Sequence, residues 1–399
     1  MKAVTQSFDP LSILLVIHSY PPVLGGSEIE AQRVCRALRE RGHKVRVLCA
    51  ANPEMPQRGE WIDPFGTPVR VMGWGRGRLL DLSFAIGVAA RMVVERNAYD
   101  LVYFLMQGLH LTFGLPVAKL LNKPLVMKFS GSGIIPRMSH SLSGRWQIER
   151  LKKWALKVLI LNEGMREEAR AATVPESLLE WMPNPVDVTE FQPAVDAADK
   201  LASRQRLSLD PSGKIVLYVG RLAPEKQLES LIRASCELPQ PARLILVGDG
   251  PSAPGLRSLA QSLGARVDFT GRQPMDKVRE YLKAADVFAL VSSLEGFPCS
   301  LIEAMASGLP SVVSRIPANV QLIRDGEHGS FAEVGDSRSI ALALGKLLSD
   351  DALRRSMGSA SRQVVIENYS SSSIADRYER LFRTAELSGY QRSRVAPQE

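Results

Sequence analysis

Short apolar runs recur along this chain from end to end, and their length decides what they are. Residues 11–17, 45–49, 101–105, 124–129 and 158–161 in the first half, and 215–219, 244–247, 267–270, 287–291 and 311–313 in the second, are each only a few residues long. They are too short for core helices, rich in Val, Leu, Ile and Phe, and bounded by glycine, proline or charge. Most are apolar at successive positions rather than alternate ones, the pattern of a strand covered on both faces of a parallel sheet. Helical stretches fill the intervals. One is expected from Gly25-Gly26-Ser27-Glu28 to about Arg41, closed by Gly42 and His43. Another covers residues 111–121, a third is capped by Asn162 and Glu163 and runs to about Ala171, and helices fill about 351–385. Strand–helix alternation that occurs twice predicts an α/β protein: two Rossmann-like lobes whose parallel sheets face a central cleft, the usual place for a ligand.

The stretch from Pro183-Asn184-Pro185-Val186-Asp187 to about Ser212 is rich in Pro, Ala and polar residues and reads as a hinge. The expected organisation is an N-terminal domain over 1–185, a linker over 186–212 and a C-terminal domain over 213–365. A helix over 366–387 would pack back on the N-terminal domain, and 388–399 would form a disordered tail.

Composition narrows the class. At 399 residues there is room for two cores, and 45% hydrophobic with 23% charged residues is ordinary for a soluble globular protein. No apolar run approaches the roughly 18 residues that cross a bilayer, and residues 1–10 lack an apolar signal core, so a cytoplasmic protein is expected. Cys35, Cys49, Cys236 and Cys299 are scattered without metal-ligand spacing, which suits a reduced compartment. No Asp-x-Asp, His-x-x-x-His or Cys-x-x-Cys pattern occurs, so neither a metal nor a cofactor is expected. The formal charge of +8 implies an anionic partner: a phosphorylated ligand, an acidic lipid surface or nucleic acid. The basic residues are spread out, without aromatic-interleaved runs, so no nucleic-acid partner is expected.

The candidate chemistry lies mainly in the second half. Glu295-Gly296-Phe297-Pro298-Cys299-Ser300-Leu301-Ile302-Glu303 follows an apolar strand. Ser300 is placed as the helix N-cap with Glu303 three residues on, a capping-box spacing. Two acids at the carboxyl end of a strand, beside helix N–H groups, suit a ligand with both hydroxyls and phosphates. By themselves they equally suit a helix cap and a solvated loop. Gly220-Arg221-Leu222-Ala223-Pro224-Glu225-Lys226 follows the first strand of this half, with a helix expected from Pro224 or Glu225. Arg221 and Lys226 there would make a diphosphate site without a metal. Gly25 and Gly26 allow close backbone approach in the other half. Gly248-Asp249-Gly250-Pro251 reads as a structural turn. Neither half has a GxGxxG fingerprint, which argues against a nicotinamide dehydrogenase.

In order, these segments resemble the retaining glycosyltransferases of family 4 (group 1), which have the GT-B fold. Gly-Gly-Ser-Glu at 25–28, Arg-Gly-His-Lys-Val at 41–45, Pro-Asn-Pro-Val-Asp at 183–187, Gly-Arg-Leu-Ala-Pro-Glu-Lys at 220–226, Val-Gly-Asp-Gly-Pro at 247–251 and the two acids at 295 and 303 carry the likeness, over about residues 11–385. The resemblance implies a hexosyltransferase that moves a sugar from a nucleotide-diphosphate donor to a glycan or lipid-linked saccharide in polysaccharide biosynthesis. It retains anomeric configuration and needs no metal. Arg221, Lys226 and Glu295 would be catalytic. Donor binding would fall to Gly25, Gly26, Arg221, Lys226, Glu295, Gly296, Phe297, Ser300, Leu301 and Glu303, with Glu303 on the ribose and Glu295 on the sugar hydroxyls. The N-terminal domain would take the acceptor.

The family's usual histidine after the strand over 124–129 is replaced by Ser130, a poor general base. Lys128 beside it reads as a solvated strand-end residue and lone His110 as structural. Ser130, Arg137 and His110 are the acceptor-side candidates, with 130–145 read as a loop lining the acceptor pocket. Trp146, Arg150, Lys153, Trp154 and Lys157 fall on one side at helical spacing. That face either docks peripherally on an anionic membrane, at its inner face, or is solvated with its tryptophans packed inward. Two other functions stay open: a nucleotide-sugar epimerase or hydrolase of the same fold, and a non-catalytic partner subunit.

Overall fold

The computed structural model describes residues 9–23, 25–54, 58–239 and 241–387. The tail expected over 388–399 lies outside them. The chain divides into two compact units, Met1–Pro185 with Ile374–Glu399, and Val186–Ser373.

Unit one is built on eight strands: β1 (Ser12–Val16), β2 (Lys44–Ala50), β3 (Gly59–Ile62), β4 (Pro68–Met72), β5 (Leu101–Leu105), β6 (Leu125–Lys128), β7 (Lys157–Ile160) and β8 (Leu179–Trp181). Their order is β3-β4-β2-β1-β5-β6-β7-β8, parallel except for the antiparallel β3–β4 edge. The central strands are the apolar runs of the sequence, and β5 is buried at every position. The edge pair β3 and β4 went unread because each alternates and is only half buried. The helices that matter below are α1 (Gly26–Glu40), α2 (Arg78–Val94), α3 (Leu109–Leu120), α4 (Ile134–Ser139), α5 (Leu142–Trp154) and α6 (Glu163–Ala171). Asn162 caps α6 by accepting the Met165 amide.

The last helix, Ser371–Leu387, adds Ile374, Tyr378, Leu381 and Phe382 to the core of unit one. The hydroxyls of Tyr103 and Tyr378 meet there at 2.8 Å, and burial holds both phenols neutral.

Unit two carries an all-parallel six-stranded sheet ordered β11-β10-β9-β12-β13-β14. Its strands are β9 (Lys214–Val219), β10 (Ala242–Val247), β11 (Val267–Gly271), β12 (Val287–Leu290), β13 (Ser311–Ser314) and β14 (Gly329–Ala332). The 186–212 stretch read as a linker is not free chain. It belongs to unit two and contains a helix, Ala197–Arg206, capped by Asp196. Lys200 and Arg204 of that helix hold the buried Asp286 at 2.6 and 2.8 Å, and Asp286 also accepts the Ile215 amide. Burial works to raise the Asp286 pKa, but these cations and the amide carry it below the usual carboxylate range.

Candidate functional site

In unit two the strand order reverses between β9 and β12. The loops leaving their carboxyl ends therefore diverge and open a crevice, the standard ligand position of an open α/β sheet. These loops are residues 220–227 and 291–298. They are clipped together, since Ser293 donates its amide to the Glu225 carbonyl at 2.8 Å. Lys226 Nζ then meets Glu295 Oε1 at 2.8 Å, and the Ser292 hydroxyl donates to the same oxygen at 2.6 Å. Both partners are mostly buried. An ammonium has three donors, so Lys226 can hold Glu295 and still face an anion.

Arg221 pairs with Glu225 at 2.6 Å, its side chain is 67% exposed, and its carbonyl accepts the Tyr218 hydroxyl. Burial raises the Tyr218 pKa, so the phenol stays a donor. A third loop supports this one. A Cβ at Gly248 would come within 1.9 Å of the Gly220 carbonyl oxygen, and one at Gly250 within 2.4 Å of that of Leu222. Only glycine lets the turn after β10 lie against the backbone bearing Arg221. Gln227, with φ of 54°, is a left-handed non-glycine residue at the site's edge that the sequence reading missed.

Several expectations need correction here. Pro224–Lys226 is a 3₁₀ turn, and the α-helix starts at Leu228, because Gln227 interrupts helical geometry. Ser300 is not the N-cap. Pro298 is, its carbonyl accepting the Leu301 amide, so Glu303 lies at the fifth helical position of Cys299–Ala306. Glu303 is buried there, Ser300 half-buried. Leu301 is wholly buried with its amide used in the helix, so it packs the core. Gly296 and Phe297 are half-buried in the loop, Phe297 against Tyr369.

In unit one the order reverses between β1 and β5. Gly25 and Gly26 start α1 beyond β1, and a Cβ on Gly26 would meet nothing within 4 Å outside its own helix. His18, which follows β1, pairs with Asp81 of α2 at 2.9 Å. His110, in the first turn of α3, is fully buried against Phe84 and Phe104. Burial and the neighbouring His18 lower its pKa to about 4, so it is neutral. Glu28 stands in the first turn of α1, its pKa raised by burial. Met106 leaves β5 with φ of 74°. His18, Asp81 and Met106 were missed; the signal available was a polar residue closing the first strand.

The acceptor-side residues differ in setting. The Ser130 hydroxyl donates to Gln107 at 3.0 Å, Arg137 is exposed on α4, and His110 is buried. The 130–145 segment is not a loop throughout, since α4 and the start of α5 lie in it. Lys128 is not solvated. It is fully buried, ion-paired with buried Glu30 of α1 and donating to Asn184 at 2.9 Å. On α5 the guanidinium of Arg150 stacks on both Trp146 and Trp154, which are half-buried, while Lys157 starts β7.

Each unit is thus an open α/β sheet with polar residues gathered at the carboxyl edge where strand order reverses, the place where such sheets bind ligands. Residues 24–190 match the family Glycosyltransferase Family 4, and residues 199–364 match Glycosyl transferases group 1. A GDP-mannose-dependent alpha-(1-6)-phosphatidylinositol monomannoside mannosyltransferase of Mycolicibacterium smegmatis is 30% identical over 278 residues, 64% of this chain and 72% of that one. The N-acetyl-alpha-D-glucosaminyl L-malate synthase of Bacillus anthracis is 25% identical over 93% of this chain and 97% of its own length. Among solved structures, Anabaena HepE in complex with UDP and glucose superposes with a TM-score of 0.77 at 21% identity, covering 94% of this chain and all of that one. The sucrose-phosphate synthase of Thermosynechococcus elongatus gives 0.80 at 22% identity, covering 95% and all. The chain belongs to the family 4, group 1 glycosyltransferases. Its fold is GT-B and it is a glycosyltransferase.

Proposed function

We propose that the protein transfers a hexosyl group from a nucleotide-diphosphate sugar to a glycan or lipid-linked saccharide, with retention and without a metal, at the cytoplasmic face of a membrane. The observation that carries this is the Lys226–Glu295 contact at the β9/β12 switch point, beside the exposed guanidinium of Arg221. Two fixed cations match the charge of a departing diphosphate, which is where transition-state stabilisation is largest. Glu295 would accept sugar hydroxyls, Glu303 the ribose hydroxyls, and Gly26 would leave room for phosphate. The sugar C1–O bond to phosphate breaks, the bond from C1 to the acceptor oxygen forms on the same face, and the acceptor proton goes to the departing phosphate oxygen. Such a route needs no histidine where Ser130 stands. A relative named for GDP-mannose dependence and a neighbour crystallised with UDP and glucose support the donor class.

The test is donor binding and transfer across a panel of nucleotide-sugars. Arg221→Ala and Lys226→Ala should each lower kcat/KM by about 10²–10³ with the fold intact. The product's anomeric proton should show retained configuration, and EDTA should leave the rate unchanged. Wild-type rates in both variants, or donor turnover that needs no acceptor, would refute the reading; the latter outcome would mark an epimerase or hydrolase.

A further inference from the structure

Helix α2 is apolar on two faces, and unit one covers only one of them. Phe84, Ala85, Val88 and Met92 are buried. Leu79, Leu82, Ile86 and Val93 are exposed large hydrophobics, Ile86 at 51%. At about 100° per residue these four and Val94, 69% exposed, fall within an arc of roughly 120°, on the side away from the buried set. From Leu82 to Ala90 the helix carries no charge. An outward helical face in water is ordinarily polar, so a continuous apolar stripe marks a contact surface.

Its surroundings identify the occupant. Trp74, 57% exposed, precedes the helix. The Ser83 hydroxyl accepts the Trp74 amide at 2.8 Å and donates to its carbonyl at 2.9 Å, so the backbone of Trp74 is clipped to the helix. Arg76 and Arg78 stand exposed at the amino end of the stripe and Arg96 at the carboxyl end. The two carboxylates of this segment turn away: Asp81 pairs with His18, and Glu95 with Arg46 and Arg91. A second copy laid on this face would oppose basic ends in either orientation, with no acid on the stripe to offset them. A bilayer meets every condition. Acyl chains take the stripe, the indole sits at the polar boundary, and the arginines reach anionic headgroups.

We infer that α2, with Trp74, Arg76 and Arg78, is a docking face for the interface of an anionic bilayer, in which the helix lies in plane rather than spanning. This places the contact on α2 and not on the Trp146–Trp154 face. It stands on exposure and charge alone and does not depend on the donor chemistry.

The test is co-sedimentation of the full chain with vesicles of phosphatidylcholine and phosphatidylglycerol, against phosphatidylcholine alone. Wild type should favour the anionic vesicles, and Leu82→Glu/Ile86→Glu should weaken binding about tenfold or more while keeping the circular dichroism spectrum and nucleotide binding of wild type. Brominated lipid should quench tryptophan emission in wild type and distinctly less in Trp74→Phe. Ile86→Gln, a milder change, should give an intermediate loss. Equal partitioning onto both vesicles, wild-type binding by the double variant, or loss seen only in Arg145→Glu/Lys153→Glu would overturn the assignment. So would a wild-type dimer that the double variant dissociates without any vesicle binding.

Discussion

At the scale of single residues, the open space at Gly26 and the closed space at His110 lead to opposite expectations. A Cβ at residue 26 would meet nothing within 4 Å outside its own helix, and the backbone there is not left-handed. Gly26→Val should therefore leave thermal stability within a degree or two of wild type. It should weaken nucleotide-sugar binding about tenfold or more if phosphate fills that space. Titration calorimetry decides, and wild-type affinity would remove Gly26 from the donor site. His110 is neutral in the fold because burial and His18 hold its pKa at about 4, below the ordinary 6.5. As pH falls below about 6.5 the unfolded chain takes up a proton that the folded chain refuses. Stability is thus complete above that pH and declines toward pH 4, by about 3 kcal/mol. His110→Phe should flatten that acid limb in urea titrations at pH 7 and pH 4.5. Neither property was legible from composition. A lone histidine and a Gly-Gly pair read the same whether they face solvent, core or ligand.

At the scale of elements, the Lys128–Glu30–Asn184 cluster ties β6 to α1 and to the end of unit one's sequence before residue 186. Sequence reading placed Lys128 in water because a lysine at a strand end usually is there. The fold buries it, since β6 lies inside the sheet between β5 and β7. Burial raises the Glu30 pKa, and the Lys128 charge opposes that shift. Removing one partner leaves an uncompensated buried charge. Lys128→Met should cost about 3–5 kcal/mol, and Glu30→Leu/Lys128→Met should recover most of it. Denaturant melts of these two variants and of Glu30→Leu alone check this, and additive losses would show that the pair is not coupled. The amphipathic helices and fully buried strands were readable because their period is fixed by core contact. Helix α2 escaped the same reading because, being apolar on two faces, it has no single-face period to detect.

At the scale of the whole molecule, the last helix returns to the unit that opens the chain. Phe382 and Tyr378 are wholly buried in the core of unit one. Phe382→Ala should destabilise that unit by about 3–5 kcal/mol. Hydrogen exchange should show faster opening of β1, β2 and β5 with the strands of unit two unchanged; uniform protection loss would contradict the division. What the sequence determined by itself was periodic or adjacent in the chain. Buried strands with their helices, two βαβ halves, the paired motifs after β9 and β12, and the family likeness all follow from spacing, because local geometry sets those patterns. What only tertiary structure decided was which distant residues meet. Lys226 reached Glu295, Glu30 reached Lys128, His18 reached Asp81, and the 197–206 helix joined unit two through Asp286. Those contacts depend on strand order, and strand order is set by burial summed over a whole sheet rather than by any short stretch of chain.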